Sequence, residues 1–402
     1  MRTLPLLLAV FLATGGLPAA VPLRASVLTA VLTDVEGNVT IKEGLPPRHR
    51  SAAVPVRRAR FLQICKAGDR INVPAGAGAG FVCSNDHWVA LPAGSDRALT
   101  EDLCRKGKPL PAGTYQRLAP VGGRMRSVAG AMALERKTRG PEEEGFGIPI
   151  LLSPRNTALL EGRPEIVWTA VEGATDYEVE AIGSVAFRIP LRLKQVSCGP
   201  SSEWDGREVC SIAYPPSAPD LPPGASVTIS VGARRGIASP LRSEAEPPRL
   251  DRLSDENSAE LRARLNGMAG LQAEEATLRV LEGNLYAGKK AYALAVRAYR
   301  EGLSIRESPE VRVTLGDVYL AIGLLSHADR SYREAMVPDA SPEAHAAAEF
   351  GLGRIEYIRQ AFDRALEHFS KARKLYKSQG LREEAHAARW AAREAKRRQR
   401  TP

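Results

Sequence analysis

Three stretches in the last third of the chain carry the same residue types at the same internal spacing, and this regularity restricts the folds open to them. Gly283 is followed by Ala295, Tyr299 and Gly302 at offsets of 12, 16 and 19 residues. Gly316 is followed by Ala328, Tyr332 and Ala335, and Gly353 by Ala365, Phe369 and Ala372, at the same offsets. Small residues at such positions let two antiparallel helices approach closely, and the aromatic fills the gap to the next pair. The first two units start 33 residues apart. The third starts later, so Pro338–His345 is expected to be a longer loop. From Ser254 onward the sequence is rich in Ala, Leu, Arg and Glu with little β-branched clustering, which predicts helix to the end. Leu381, Ala385, Ala388, Ala392 and Ala395 mark one face of a final helix that caps the array, with basic residues at its C-terminal end complementing the helix dipole.

The pattern of one small residue in a first helix and small, aromatic, small in a second resembles the tetratricopeptide-repeat (TPR) family. The resemblance implies a superhelix of helix pairs whose first helices line an inner groove that docks a partner protein. It places the residue after each glycine in that groove: Asn284, Asp317 and Arg354. One turn away it places Val280, Val313, Leu320, Phe350 and Tyr357. A groove mixing polar and apolar side chains suits an extended peptide or a partner helix. It lacks the Lys/Asn/Arg set with which chaperone-binding relatives clamp a C-terminal carboxylate. One alternative is a structural array that stacks on its own neighbouring domains. Another is an Ala-rich bundle without repeats.

Ahead of the helices lie two regions of short β-type runs separated by Gly and Pro. In the first, residues 27–120, Val35, Val39 and Ile41 alternate with polar and turn residues. Ile71–Val73, Phe81–Val82 and Trp88–Leu91 read as strands, with Pro74–Gly80 as a small-residue turn. Val35-Glu36-Gly37-Asn38-Val39, then Ala67-Gly68-Asp69-Arg70-Ile71, then Gly78–Gly80 and the Trp88 strand together resemble the FecR-like β domain of bacterial envelope proteins, a family that senses or relays envelope signals. Residues 121–147 are polar and Gly-rich and read as a linker. In the second region, residues 148–246, Glu165–Trp168, Tyr177–Ile182 and Val227–Val231 read as half-buried strands of a small antiparallel sandwich. The Trp168 strand, the Gly-Ala-x-x-Tyr turn and the Pro-Gly before the late strand resemble a fibronectin type III or immunoglobulin-like module. Residues 247–256 read as a second linker ahead of the TPR array at 257–402.

The N-terminus suggests export. Arg2 precedes an apolar run from Leu4 to Leu17 that ends in Pro18-Ala19-Ala20, the layout of a secretory signal peptide over residues 1–20; an uncleaved anchor is the alternative. The cysteine count of five fits an oxidising compartment. Cys198 and Cys210 flank a Gly/Pro/Ser-rich turn, and Cys83 with Cys104 forms a second candidate pair, leaving Cys65 odd. The alternative is that all five are small buried apolar residues. None forms a Cys-x-x-Cys pair, so neither a zinc ribbon nor a thioredoxin-like redox motif is present.

Motifs for turnover are missing. The six histidines show no metal-ligand spacing and each reads as a solvated surface residue. Gly76–Gly80 is not followed by the Gly-Lys-Ser/Thr of a phosphate loop, and there is no Gly-x-Ser-x-Gly elbow. The net charge of +10 comes without a basic-aromatic nucleic-acid motif and fits contact with an acidic partner or a membrane surface better. The expectation is a multidomain fold, two small all-β domains followed by an all-α TPR superhelix. Functionally it is an exported, non-enzymatic scaffold of the periplasm or extracellular space, with protein partners, peripheral membrane association, and no cofactor, metal or small-molecule substrate. An envelope sensor whose FecR-like domain receives a signal is the alternative.

Overall fold

The computed structural model describes residues 28–42, 44, 56–59, 64–110, 147–204, 206–237, 241, 243–268, 273–338 and 340–400. The proposed signal segment 1–20 and the linker up to residue 146 lie outside them.

The first β unit contains β1 (Thr29–Glu36), β2 (Thr40–Lys42), β3 (Val56–Arg58), β4 (Ile64–Lys66), β5 (Arg70–Val73), β6 (Gly78–Cys83), β7 (His87–Leu91), β8 (Ser95–Ala98), a short helix α1 (Glu101–Arg105) and β9 (Lys108–Pro109). They form two antiparallel sheets, ordered β4-β1-β6-β7-β9 and β3-β2-β5-β8. Ala30, Leu32 and Phe81 of one sheet meet Ile41, Ile71 and Val73 of the other in a shared core. The strand expected at Ile71–Val73 is β5, and its side chains alternate, with Ile71 and Val73 buried and Arg70 and Asn72 exposed. The predicted small-residue turn is shorter than expected. Gly78–Gly80 are strand, because their backbones pair with β1 from Asp34 to Glu36. Thr100 caps α1 by accepting a hydrogen bond from the Leu103 N–H at 3.2 Å, and the helix carries Cys104 to a disulfide with Cys83. Cys65 stays a free, buried thiol, whose pKa burial pushes up, with the Asp69 carboxylate adding to the effect.

The second β unit is a sandwich of β10 (Leu151–Ser153), β11 (Thr157–Leu159), β12 (Ile166–Thr169), β13 (Asp176–Gly183), β14 (Phe187–Arg192), β15 (Ser197–Ser201), β16 (Arg207–Ile212), β17 (Ser226–Arg234) and β18 (Arg249–Arg252). Its sheets run β10-β12-β16-β15 and β11-β18-β17-β13-β14. Trp168 and Ile166 of the first face Tyr177, Val179, Val227 and Ile229 of the second. Trp168 meets Tyr177 edge-on at 5.3 Å. The Tyr177 hydroxyl accepts from the Val171 N–H at 3.0 Å and lies 3.7 Å from Cys210 Sγ. Cys210 is bonded to Cys198 directly across β15 and β16. Residues 249–252 fall in the stretch read as linker. They are strand because β17 on one side and β11 on the other supply ladder partners.

The helical part comprises α2 (Asp255–Met268), α3 (Glu275–Gly288), α4 (Tyr292–Ile305), α5 (Pro309–Ile322), α6 (Leu325–Glu334), α7 (Pro342–Ile358), α8 (Phe362–Ser378) and α9 (Arg382–Gln399). Helix α3 packs on α4, α5 on α6, α7 on α8, and α9 on α8. Ser308 and Ser341 cap α5 and α7, each ahead of a proline at the first helical position. The cap at Ser341 puts His345 inside α7, so the loop predicted to reach His345 ends four residues earlier. Gly323 ends α5 with φ at 83°, the left-handed region that glycine enters without strain. The molecule is thus a β-rich N-terminal part of several sheets followed by a helical C-terminal part. Among the described residues no helix is long and apolar enough to cross a membrane.

Candidate interaction surface

The repeated spacing has a direct steric cause. Tyr299, Tyr332 and Phe369 are fully buried, and each ring lies over the glycine that opens its unit. A Cβ on Gly283 would stand 2.5 Å from Tyr299, one on Gly316 2.7 Å from Tyr332, and one on Gly353 2.6 Å from Phe369. Real Cβ atoms do not approach that closely, so the glycine and the aromatic 16 residues later form one packing device. Tyr332 also presses against Gly351 of the following helix, a second small-residue contact that the spacing did not reveal.

The residues after the glycines are tied to the same device. The Tyr299 hydroxyl donates to Asn284 Oδ1 at 2.6 Å, and the Tyr332 hydroxyl donates to Asp317 Oδ1 at 2.7 Å. The third unit has Phe369, which has no hydroxyl to offer. There Arg354 lies 3.4 Å from Asp317 instead. Burial raises the Asp317 carboxyl above the usual carboxylate range, and Arg354 and the Tyr332 hydroxyl pull against that rise. Tyr332 is itself raised well above the ordinary phenol value, by burial first and by Asp317 second. Tyr376, wholly buried, has a hydroxyl without a hydrogen-bond partner among the described residues.

Of the eight residues expected to line the groove, the structure brings Asp317 and Arg354 together and leaves both partly open to solvent, with side chains 29% and 16% exposed. Asn284 is buried beneath Tyr299. Val280, Val313, Leu320, Phe350 and Tyr357 are all buried, none more than 6% exposed, in the packing between helices. Their apolar periodicity therefore serves the core of the array.

Contacts that sequence reasoning did not foresee hold the helices to both β units. The Thr277 hydroxyl on α3 donates to the Thr33 carbonyl in β1 at 2.7 Å, and Val31 and Val82 join Leu281 in one apolar cluster. Arg155, just before β11, donates to the Ile322 carbonyl at the end of α5 at 2.9 Å while ion-paired with Glu244 at 2.7 Å. Both side chains of that pair are at most 4% exposed. The Ala158 N–H donates to the Lys290 carbonyl at 2.8 Å. His327, expected at the surface, is buried in α6 between Trp204 and Tyr319, with ring centroids at 5.5 and 5.3 Å. The β sandwich covers it. His368 is half-buried and bonded to Glu349 at 2.6 Å.

Comparison with known proteins adds little. No family model and no curated protein matches the sequence. Among solved structures, a chain of astrotactin-2, described as a conserved vertebrate-specific and perforin-like membrane protein involved in neuronal development, is 11% identical with a TM-score of 0.19. The match covers 50% of this chain and 38% of that one. A TM-score that low carries no argument about fold or function.

The helical surface left uncovered includes a cleft of about 230 Å³ lined by Arg312, Tyr319, Arg330, Glu307 and Glu334 among others. Arg312 spans it, 2.6 Å from both Glu307 and Glu334. Among the described residues no group of His, Cys, Asp and Glu is placed to hold a metal ion. Asp317 with Arg354 and the Arg312 cleft can exchange charged hydrogen bonds with a partner chain.

Proposed function

We propose that the chain is an exported, non-enzymatic scaffold of the periplasm or extracellular space, in which a TPR array, carried on a FecR-like and a fibronectin III-like module, docks partner proteins. The observation that supports it most is the helix-pair device repeated three times, Gly283–Tyr299, Gly316–Tyr332 and Gly353–Phe369. Stacked helix pairs give an extended surface, and rigid seating on the β units fixes how it is presented. Two disulfides agree with an oxidising, exported setting. Turnover of any common hydrolase substrate by the purified chain would overturn the reading.

The test is crosslinking capture from the native envelope fraction with the full chain. Wild type is compared with an Asp317→Asn, Arg354→Gln variant, which removes both charges while keeping side-chain shape. Loss of a specific partner at unchanged circular dichroism supports docking at this seam. Identical partners with both proteins would mean that the array is structural, stacking on its own β units.

A second function, a sensor in which the first β unit receives a signal and the helical repeats relay it, draws on the Thr277 to Thr33 contact that joins that unit to α3. If Thr277→Ala changes partner capture at the distant Arg354 seam, the relay gains support. If capture is unchanged, it fails.

A further inference from the structure

The chain's positive charge is concentrated at one end. Residues 362–402 hold twelve Lys/Arg against five Asp/Glu, a net +7 out of the whole chain's +10. Within this segment α9 has one face fixed inward, where Ala385, Ala388, Ala391 and Ala395 are buried in the cluster shared with α8. At 100° per residue a stripe about 120° around the helix from those alanines carries Arg382, Arg389, Arg393, Lys396 and Arg400, one above another. All five are exposed, and none makes an ion pair among the described residues. Elsewhere in the helices the arginines are mostly neutralised: Arg279, Arg306, Arg312 and Arg333 each hold a carboxylate. Beside the stripe stands Trp390, 43% exposed, among the largest exposed apolar side chains of the molecule.

Five unpaired cations in a line repel one another and cost stability unless something outside the chain neutralises them. The stripe is a solvent-exposed line of cations along the whole of the last helix, so it can meet an extended anionic surface along its length. Because the apolar face of α9 is held against α8, the contact is electrostatic: Lys/Arg of the stripe meet lipid phosphates and the neighbouring indole sits at headgroup depth, where Trp is enriched. Nucleic acid would match the charge. It gives Trp390 no role unless bases are unstacked onto it, and the two disulfides point to an exported setting where a lipid leaflet is the abundant polyanion.

We propose that the outer face of α9, with Arg382, Arg389, Arg393, Lys396 and Arg400 as cationic contacts and Trp390 as interfacial anchor, docks the protein onto anionic phospholipid membranes. This is independent of what binds the repeats. It seats the array by its C-terminal end and leaves the Asp317–Arg354 seam on other helices.

Flotation of the full chain with phosphatidylcholine vesicles, with and without phosphatidylglycerol, tests the proposal. Arg389→Gln, Arg393→Gln, Lys396→Gln is the site variant, and Arg192→Gln, Arg234→Gln, Arg235→Gln removes equal charge from exposed positions in the second β unit. The expected result is binding that needs phosphatidylglycerol and weakens with salt. It should fall roughly a hundredfold in the site variant, at about a fivefold loss per cation, and stay near wild type in the control variant. The wild-type fluorescence should shift to the blue on binding, and Trp390→Phe should abolish that shift. Equal binding to phosphatidylcholine alone, a site variant that floats like wild type, or an equal loss in the control variant would each overturn it. So would displacement of the protein from vesicles by double-stranded DNA at matched phosphate concentration, which would assign the stripe to nucleic acid.

Discussion

At the scale of single residues, the glycines of the repeat are set by what faces them. Gly351 lies against the Tyr332 ring with no space for a methyl group. Gly351→Ala should therefore destabilise the chain by about 1–3 kcal/mol through overpacking, read as a lower urea midpoint at unchanged slope. A change below the error of such a melt would mean that the ring moves aside freely. Asp317 offers a test with a defined sign. Its folded pKa is raised by burial, so the protonated form is the one the fold favours. That contribution is complete below the ordinary carboxylate value and is lost as pH rises through the raised value. Asn284, at the matching position of the first unit, shows that an amide can accept the tyrosine hydroxyl. The stability of Asp317→Asn relative to wild type should therefore climb as pH rises from the acid side and level off toward neutrality. A pH-independent difference, or a fall, would refute the assignment. The aromatic spacing was legible in the sequence because it repeats. Gly351 was not, because its partner belongs to the preceding unit.

At the scale of elements, the joint between the second β unit and the helices rests on a charge pair with almost no access to water. Glu244 holds Arg155, and Arg155 bonds to the last turn of α5 and to the Leu151 carbonyl. Glu244→Ala leaves a buried guanidinium uncompensated and should cost about 3–5 kcal/mol. An Arg155→Met, Glu244→Leu double variant should cost less than that single change, since no charge is stranded. Equal or greater loss in the double variant would show that the hydrogen bonds of Arg155, and not its charge balance, carry the joint. Strands β13 and β17 were readable from alternation, and the helix pairs from the repeated glycine–aromatic spacing. The caps at Ser308 and Ser341 did not enter that reading, and the start of α7 reads as loop in the sequence. Strand β18 was not readable. Four residues preceded by two prolines look like linker until the two partner strands are in place.

At the scale of the whole molecule, one apolar cluster runs from Val31 and Val82 through Ile150, Leu152 and Trp204 to Leu281, Tyr319 and Tyr332. Such continuity should make the β and helical parts unfold together. Far-ultraviolet circular dichroism, dominated by the helices, and fluorescence of the buried Trp168 and Trp204 should give coincident urea transitions. Two separated transitions would show that the parts are only loosely joined. Reduction of Cys198–Cys210 should lower stability by about 3 kcal/mol in the chain-entropy picture, given its short loop, and the loss should appear in both signals.

The sequence by itself determined the order of the chain, two β regions and then paired helices, because hydrophobic period and Gly/Pro punctuation are local properties that neighbours in sequence impose. It also determined the glycine–aromatic device, whose members lie within one helix pair. Tertiary structure decided the rest. It buried His327 under Trp204, turned five expected groove residues into core, made β18 a strand and placed Arg155 on the end of α5. For His327, β18 and Arg155 the deciding contact comes from a segment distant in the chain, and for the groove residues from the adjoining helices. Whether a side chain meets water or another element is settled only when those elements pack.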